Sequence, residues 1–379
     1  GVEGTYHTFD PGRAKGLGEE ALFTEFIQPN SHALDWGIYV GNEQKIGEHI
    51  QLKYGLRYSI FQGIGSATVY NFDENFNTID STVYEKGDIY NTYMGLEPRF
   101  GITYIINDES SVKANYSRTR QYMQLAQNST AGTPLDIWFP ASPNVKPQIA
   151  DQVALGYFRN FKNNKYETSV EVYYKNMQNS IDFEDFAQVL LNAELEGELR
   201  FGKSWSYGAE FLVRKNEGKL TGWVSYTYSH TYRKFEDINQ GKTYRAPYDK
   251  PHNVAIVLSY SISPRLEVGA NWVYGSGQPA TFPTGRAYYG NLIVPIYSDR
   301  NAYRLPDYHR LDVSATWKRK KKEGQKWDWD INLSVYNAYA RHNTWSINFV
   351  TDETNPDVTY AEQTYLFSII PALTFNFKF

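Results

Sequence analysis

The 379 residues contain no cysteine, so neither a disulfide framework nor a thiolate metal site is available. No run of about 18 apolar residues occurs either, which excludes a conventional transmembrane helix. Cationic charge is not in excess. The 38 Lys and Arg stand against 42 Asp and Glu, a formal net charge of −4, and no basic footprint suits nucleic acid. The seven histidines are scattered, with no HxH or HExxH pair to hold a metal. There is no G-x-S-x-G elbow and no P-loop. DFED (182–185) and DETNPD (352–357) lack the spacing and glycine of an EF-hand and read as solvated loops. The expectation is therefore a protein that is not an enzyme and carries no cofactor. The chain opens on Gly1 without an initiator Met or signal peptide, so an exported protein must have lost at least that segment.

Aromatic side chains are abundant: 32 Tyr, 21 Phe and 9 Trp make up 16% of the chain, more than an ordinary soluble core needs. They fall in an alternating pattern. In HIQLKYGLRYSIF (49–61), Ile50, Leu52, Tyr54, Leu56, Tyr58 and Ile60 share one face of an extended chain. Gln51, Lys53, Gly55, Arg57 and Ser59 share the other. A period of two specifies a strand with one apolar and one wet face. The pattern recurs at 33–42, 91–105, 111–119, 151–161, 166–176, 207–215, 220–230, 253–263, 265–275, 308–318, 328–338 and 364–379, giving thirteen strands. The one helix-like window is EDFAQVLLNAELEGEL (184–199).

Short connections such as INDES, KNNK and SISPR alternate with long ones rich in Gly, Pro, Asn and Asp. A soluble sandwich has no reason to segregate its long loops in this way. A bacterial outer-membrane barrel does, with tight periplasmic turns and long extracellular loops, and its strands need only alternate to cross the bilayer. A mean hydropathy of −0.57 is compatible with such a barrel, because every second strand residue faces away from lipid. The expected fold is all-β, a transmembrane antiparallel barrel. Residues 1–32 are read as the remainder of an extracellular loop and 33–379 as the C-terminal portion of the barrel. With the C-terminus periplasmic, thirteen strands begin outside, whereas single-chain bacterial barrels have even strand numbers.

The pair YSRTRQY (116–122) and SPNVKPQIADQVALGYF (142–158) resembles elements of the TonB-dependent outer-membrane receptors. Pro143, Asn144, Val145, Lys146 and Pro147 match that family's motif, with Gln148 replacing its usual Glu. The Phe-Arg-Ala-Pro element of siderophore and haem receptors is replaced by TRQYMQLA (119–126), so iron ligands are not carried over. SDRNAYRLPDYHRLDVSATW (298–317) and SVYNAYARHNTWSINF (334–349) resemble the closing strands of the Bacteroidetes branch, with its carboxypeptidase-regulatory-like and SusC-related members. The resemblance implies a barrel of about 22 strands filled by an N-terminal plug, with strands and plug preceding Gly1. It further implies uptake of a scarce nutrient (glycan, peptide or metal chelate), energised by TonB through the missing N-terminus. Its other partners would be outer-membrane lipid, lipopolysaccharide and a surface lipoprotein lid. The other function considered is a structural or scaffold subunit of an outer-membrane complex.

Three groups of residues carry these expectations. Lys53, Arg57, Glu97, Arg99, Lys113 and Glu171 fall at wet positions and are expected to face the lumen or a plug. Trp138, Phe139 and Trp345 lie in loop segments where aromatics can stack on sugars or flat ligands. Phe375, Phe377 and Phe379 alternate along the last strand and resemble the signal read by the outer-membrane assembly machinery.

Overall fold

The structure is a computed structural model. It describes the chain except for residues 11–12, 16–24, 28–29, 127–136, 190–191, 291, 321–326, 353 and 356–357. Fourteen strands of the main sheet form one antiparallel meander, each pairing with the next strand of that path, and a two-residue fifteenth, Tyr244–Arg245, pairs beside Leu220–Phe235. The fourteen are β1 (Val2–Phe9), β2 (Ser31–Ile46), β3 (Ile50–Ile64), β4 (Ile89–Asn107), β5 (Ser110–Gln121), β6 (Gln148–Phe161) and β7 (Tyr166–Phe183). There follow β8 (Leu199–Lys215), β9 (Leu220–Phe235), β10 (His252–Ser263), β11 (Leu266–Gly275), β12 (Tyr308–Lys318), β13 (Asp328–Tyr336) and β14 (Ile370–Lys378). Among the described residues β1 and β14 do not pair with each other, so the sheet is open at two edges.

Two boundaries depart from the sequence reading. Residues 2–9, assigned to a loop remainder, pair along their whole length with β2, from Val2 opposite Ile38 to Phe9 opposite Ser31. Their alternation is weak, because Gly4 and Thr8 occupy apolar-face positions and Phe9 a polar-face one. The last strand begins at Ile370 rather than 364. Thr364 instead closes a separate hairpin of Ser346–Thr351 with Thr359–Thr364. The helix-like window holds only a single 3-10 turn, Leu195–Glu198, among its described residues.

Register preserves the two faces from strand to strand. Leu56 lies opposite Val40 and Pro98, and Arg57 opposite Tyr39 and Glu97. The face of Leu56 stays open, as at Ile38, Val40, Leu96, Phe100, Leu155, Val172, Val213 and Leu258. Asymmetry between the ends is equally clear. One end has tight turns, such as 162–165, where Lys162, Asn163 and Asn164 take positive φ, and 216–219, where Gly218 does so at +100°. Asn and Gly tolerate this left-handed conformation best. The other end bears long connections that form hairpins of their own, including Ala67–Phe72 with Thr78–Tyr84 and Pro283–Tyr289 with Leu292–Tyr297. The buried core lies at this second end. One cluster gathers Ala126, Phe139, Val145, Ile181, Phe183, Val189, Leu195 and Leu199, and a second Ala33, Phe61, Tyr122 and Ala141.

Candidate functional site: the polar wall and the packed loop end

All six expected wet-face residues share the polar face. Arg57 opposes Glu97, Lys53 opposes Gly101, Arg99 opposes Ser117, and Lys113, Gly156 and Glu171 follow one another across three strands. Charges of both signs meet there. Arg57 donates to Glu3 at 2.8 Å, Arg99 lies 3.8 Å from the buried Glu97, and the Lys113 ammonium stands 4.3 Å over the Phe158 ring. Lys53 and Glu171 have no ion pair among the described residues. Lys53, Arg57 and Arg99 line a recess of about 910 Å³ together with Gly41, Gly55 and Gly101. The absence of side chains at these three glycines gives the wall its depth at that point.

The loop end is held by charges that sequence reasoning did not single out. Asp182, from the DFED stretch read as solvated, is 2% exposed. It accepts from Arg300 at 2.8 Å, Arg233 at 3.0 Å and the Tyr244 hydroxyl at 2.7 Å. Arg300 also reaches Asp185 at 2.8 Å. The guanidinium of Arg300, though desolvated, is held above its ordinary range by Asp182. A buried charge is tolerable only when paired and hydrogen-bonded, and here one carboxylate satisfies two cations and a phenol. Asp249, equally buried, pairs with Arg304 and accepts from the Thr231 amide at 2.7 Å. These contacts join segments that are far apart in the chain, so no local motif announces them.

The PNVKP element has a legible structural role. The Ser142 hydroxyl accepts from the amides of Asn144 and Val145, making a tight turn that buries Val145 in the first core cluster. Asn144 then donates to the Tyr70 carbonyl at 2.9 Å and to Glu196 at 2.6 Å, tying together three connections. Gly197 fits beneath Phe72, whose ring would lie 2.8 Å from any Cβ at that position. Burial lifts the Glu196 carboxyl above the usual carboxylate range, against the hydrogen bonds from Asn144 and Ser142.

The expected cargo aromatics are dispersed. Trp138 is 55% exposed in the short hairpin of Met123–Ala126 with Ile137–Pro140, and Trp345 is exposed ahead of Ser346–Thr351. Phe139 points the other way. It is buried, with its ring edge-on to Phe183 at 6.0 Å, and so serves the loop core. On the apolar face of the last strand, Phe375 and Phe377 pack against Trp329 and Trp327, and Phe379 follows Phe377 at 6.2 Å. Among the described residues no group of three or more His, Asp or Glu could hold a metal ion. In the DETNPD stretch, Asp352 is held down to about 2 by the Thr354 hydroxyl and neighbouring turn donors, which makes it a turn-former.

Comparison with known proteins accounts for this architecture. Among curated proteins none matches the chain. The ferric-catecholate import receptor Fiu of E. coli K12 superposes on all of this chain at TM-score 0.60 and 17% identity, over 51% of its own length. The siderophore receptor PiuA of Acinetobacter baumannii covers 94% of this chain at TM-score 0.61 and 15% identity, over 44% of its length. The unliganded ferric citrate transporter FecA covers 95% at TM-score 0.57 and 13% identity, over 47% of its length. This chain thus spans about half of each of these structures. The family model for the TonB dependent receptor-like β-barrel matches residues 3–338. The chain belongs to the TonB-dependent receptor-like β-barrel family.

Proposed function

We propose that this chain is part of the wall of an outer-membrane importer that takes up a scarce nutrient using energy delivered by TonB. The observation that carries this reading is the two-faced fourteen-stranded meander, apolar and open on one side and mixed in charge on the other. An apolar face of this size belongs against lipid, and a wall of mixed charge belongs against a polar plug or water. Iron chelates head the cargo classes, because the three solved structures above are named for ferric-catecholate, siderophore and ferric citrate. Glycans and peptides remain in the class through the resemblance of the closing strands to the Bacteroidetes branch. On this reading the tight turns and the C-terminus face the periplasm, and the packed loop end faces outward and presents Trp138 and Trp345. Phe139 supports Trp138 from the loop core. Lys53, Arg57, Glu97, Arg99, Lys113 and Glu171 meet the plug, and Phe375, Phe377 and Phe379 serve barrel assembly. A surface lipoprotein lid would sit over the loops.

The test is uptake. A strain lacking the protein should lose growth on the limiting nutrient, and restoring the protein should rescue growth only when TonB and the proton gradient are intact. Uptake that is unchanged by deletion would overturn the reading. Single cysteines at Gly87 and Gly241 should react with an impermeant maleimide on intact cells, whereas those at Asn163 and Gly218 should not.

A further inference from the structure

On the polar face of β9–β13 one rung begins and ends in an aromatic ring. Trp223 lies opposite Val257, Val257 opposite Asn271, and Asn271 opposite Asp312. Tyr336 follows Val335, the partner of Val313, and so falls beside Asp312. The next rung towards the tight turns reads Ser259, Gly269, Ser314 and Ser334. Adjacent strands stand about 4.8 Å apart, so about 19 Å of wall separates Trp223 from Tyr336. Between them β10–β13 form a recess of about 490 Å³, with Asn271, Ser314, Ser334 and Tyr336 on its lining. That volume suits a small-molecule subsite. Gly269 is its floor, and the Ser314 hydroxyl lies across it, 2.8 Å from where a Cβ would stand. Gly269 is three residues into β11, which begins at Leu266. At about 3.3 Å per residue and a tilt of about 40°, the floor is about 8 Å along the membrane normal from the tight-turn end. It is therefore remote from the packed loops.

Both charges on the lining are already answered. Glu267 accepts from the Lys318 ammonium at 3.0 Å and the Ser259 hydroxyl at 2.6 Å. Asp312 pairs with Arg310 at 2.9 Å and accepts from the Asn337 amide at 2.9 Å. The same Arg310 donates to the Tyr336 hydroxyl and lies 4.2 Å over its ring, which fixes that end. What stays open is neutral. The Ser314 and Ser334 hydroxyls and the Asn271 amide have no hydrogen-bond partner among the described residues, and Trp223 touches no other ring. Hydroxyls and amides both donate and accept, as the hydroxyls of a sugar do. The Trp223 ring borders them with the apolar face on which a sugar ring can stack. An anionic chelate finds no cation on this lining, unlike the recess that holds Lys53 and Arg99.

We propose that the recess between Trp223 and Tyr336 is a subsite for an uncharged, polyhydroxylated ligand, a glycan segment in transit along the wall. Trp223 stacks on a sugar ring, and Asn271, Ser314 and Ser334 hydrogen-bond its hydroxyls. Tyr336 closes the far end. A ligand of this kind needs many exchangeable hydrogen bonds and no compensating charge, which is what the open groups here supply. The proposal rests on the importer reading and narrows its cargo to glycans.

The full-length receptor, purified in detergent, is titrated with neutral hexasaccharides of the malto-, cello-, xylo- and chito-series and with ferric citrate as the anionic probe. At least one hexasaccharide should bind by saturation-transfer NMR, and Trp223→Ala should weaken it at least about tenfold. Trp223→Phe should stay within about threefold of the wild type. Heat-resistant mobility on a gel reports whether each variant is folded, and ferric citrate should behave alike with all of them. If Trp223→Ala loses heat resistance, the double variant Ser314→Ala, Ser334→Ala carries the test, with the same loss of glycan expected. No binding by any hexasaccharide, unchanged glycan affinity in the folded variant, or a parallel loss of ferric citrate would each overturn the proposal. So would a photo-cross-linking residue at Ser334 that captures the receptor's own N-terminal part equally with and without glycan, because the recess would then serve internal packing. The importer reading has a separate readout in TonB-dependent growth. Growth that needs TonB, with glycan affinity indifferent to Trp223, sinks the subsite alone. Glycan bound through Trp223, with growth indifferent to deletion of the receptor, sinks the importer reading alone.

Discussion

At the scale of single residues, position on one face or the other decides what a side chain can be. Leu258 stands on the apolar face between Gly222 and Ala270, 38% exposed to whatever surrounds the sheet. If that surrounding is the bilayer, Leu258→Arg should cost about 2–4 kcal/mol of folding free energy in lipid vesicles. A denaturant titration in vesicles reads this directly, and a cost near zero would remove β10 from the membrane. Asp182 shows the opposite case. Its stretch is acidic and looks solvated, yet two guanidiniums and a phenol converge on it at the loop end. Removing that carboxylate would leave two buried cations short of a partner, so its role is to hold loops together rather than to bind an ion.

At the scale of elements, the loop end is built from connections that depend on one another. The hairpin of Ala67–Phe72 with Thr78–Tyr84, the PNVKP turn and the Leu195–Glu198 turn meet at Asn144 and Glu196. Because the folded environment raises the Glu196 pKa above its unfolded value, the folded state keeps this proton over a range in which the unfolded chain releases it. The stabilisation is therefore complete below the ordinary carboxylate value and is lost as pH rises through the raised one. Backbone amides of residues 194–198 and 70–77 should exchange hydrogen more slowly, after correction for intrinsic rates, in mildly acidic than in mildly alkaline buffer. Glu196→Gln should flatten that difference. A wild-type difference of the opposite sign would show that Glu196 does not control the contact.

At the scale of the whole molecule, the open sheet is the dominant fact. Among the described residues the edges β1 and β14 each present a row of backbone N–H and C=O groups with no partner within the sheet. In lipid every such group costs several kcal/mol, which is why spanning sheets close. The 379-residue chain refolded alone in vesicles should therefore run at the same gel position heated and unheated, without the heat-resistant form of a closed barrel. A monomeric, heat-resistant species made from this chain would show that its two edges pair with each other. The edges differ in character. β14 carries Pro371, whose missing N–H is tolerated on an edge, and an apolar row ending at Phe379. β1 contributes Glu3 to the polar face, where it meets Arg57.

The sequence by itself located thirteen of the fourteen meander strands, their two faces and the shared face of Lys53, Arg57, Glu97, Arg99, Lys113 and Glu171. Alternation with a period of two is a local property, and neighbouring strands joined by short turns inherit each other's register. It also determined the separation of tight turns from long connections, since turn residues act within a few positions of themselves. Only the tertiary structure decided that residues 2–9 are a strand, because their weak alternation is completed by pairing with β2. Only there does Phe139 turn away from Trp138 into a core shared with Phe183 and Leu199. Arg300 reaches Asp182 across 118 residues of chain, and no spacing rule spans that distance. Contacts between loops are fixed by which strands stand side by side, so they become legible only once the sheet has assembled.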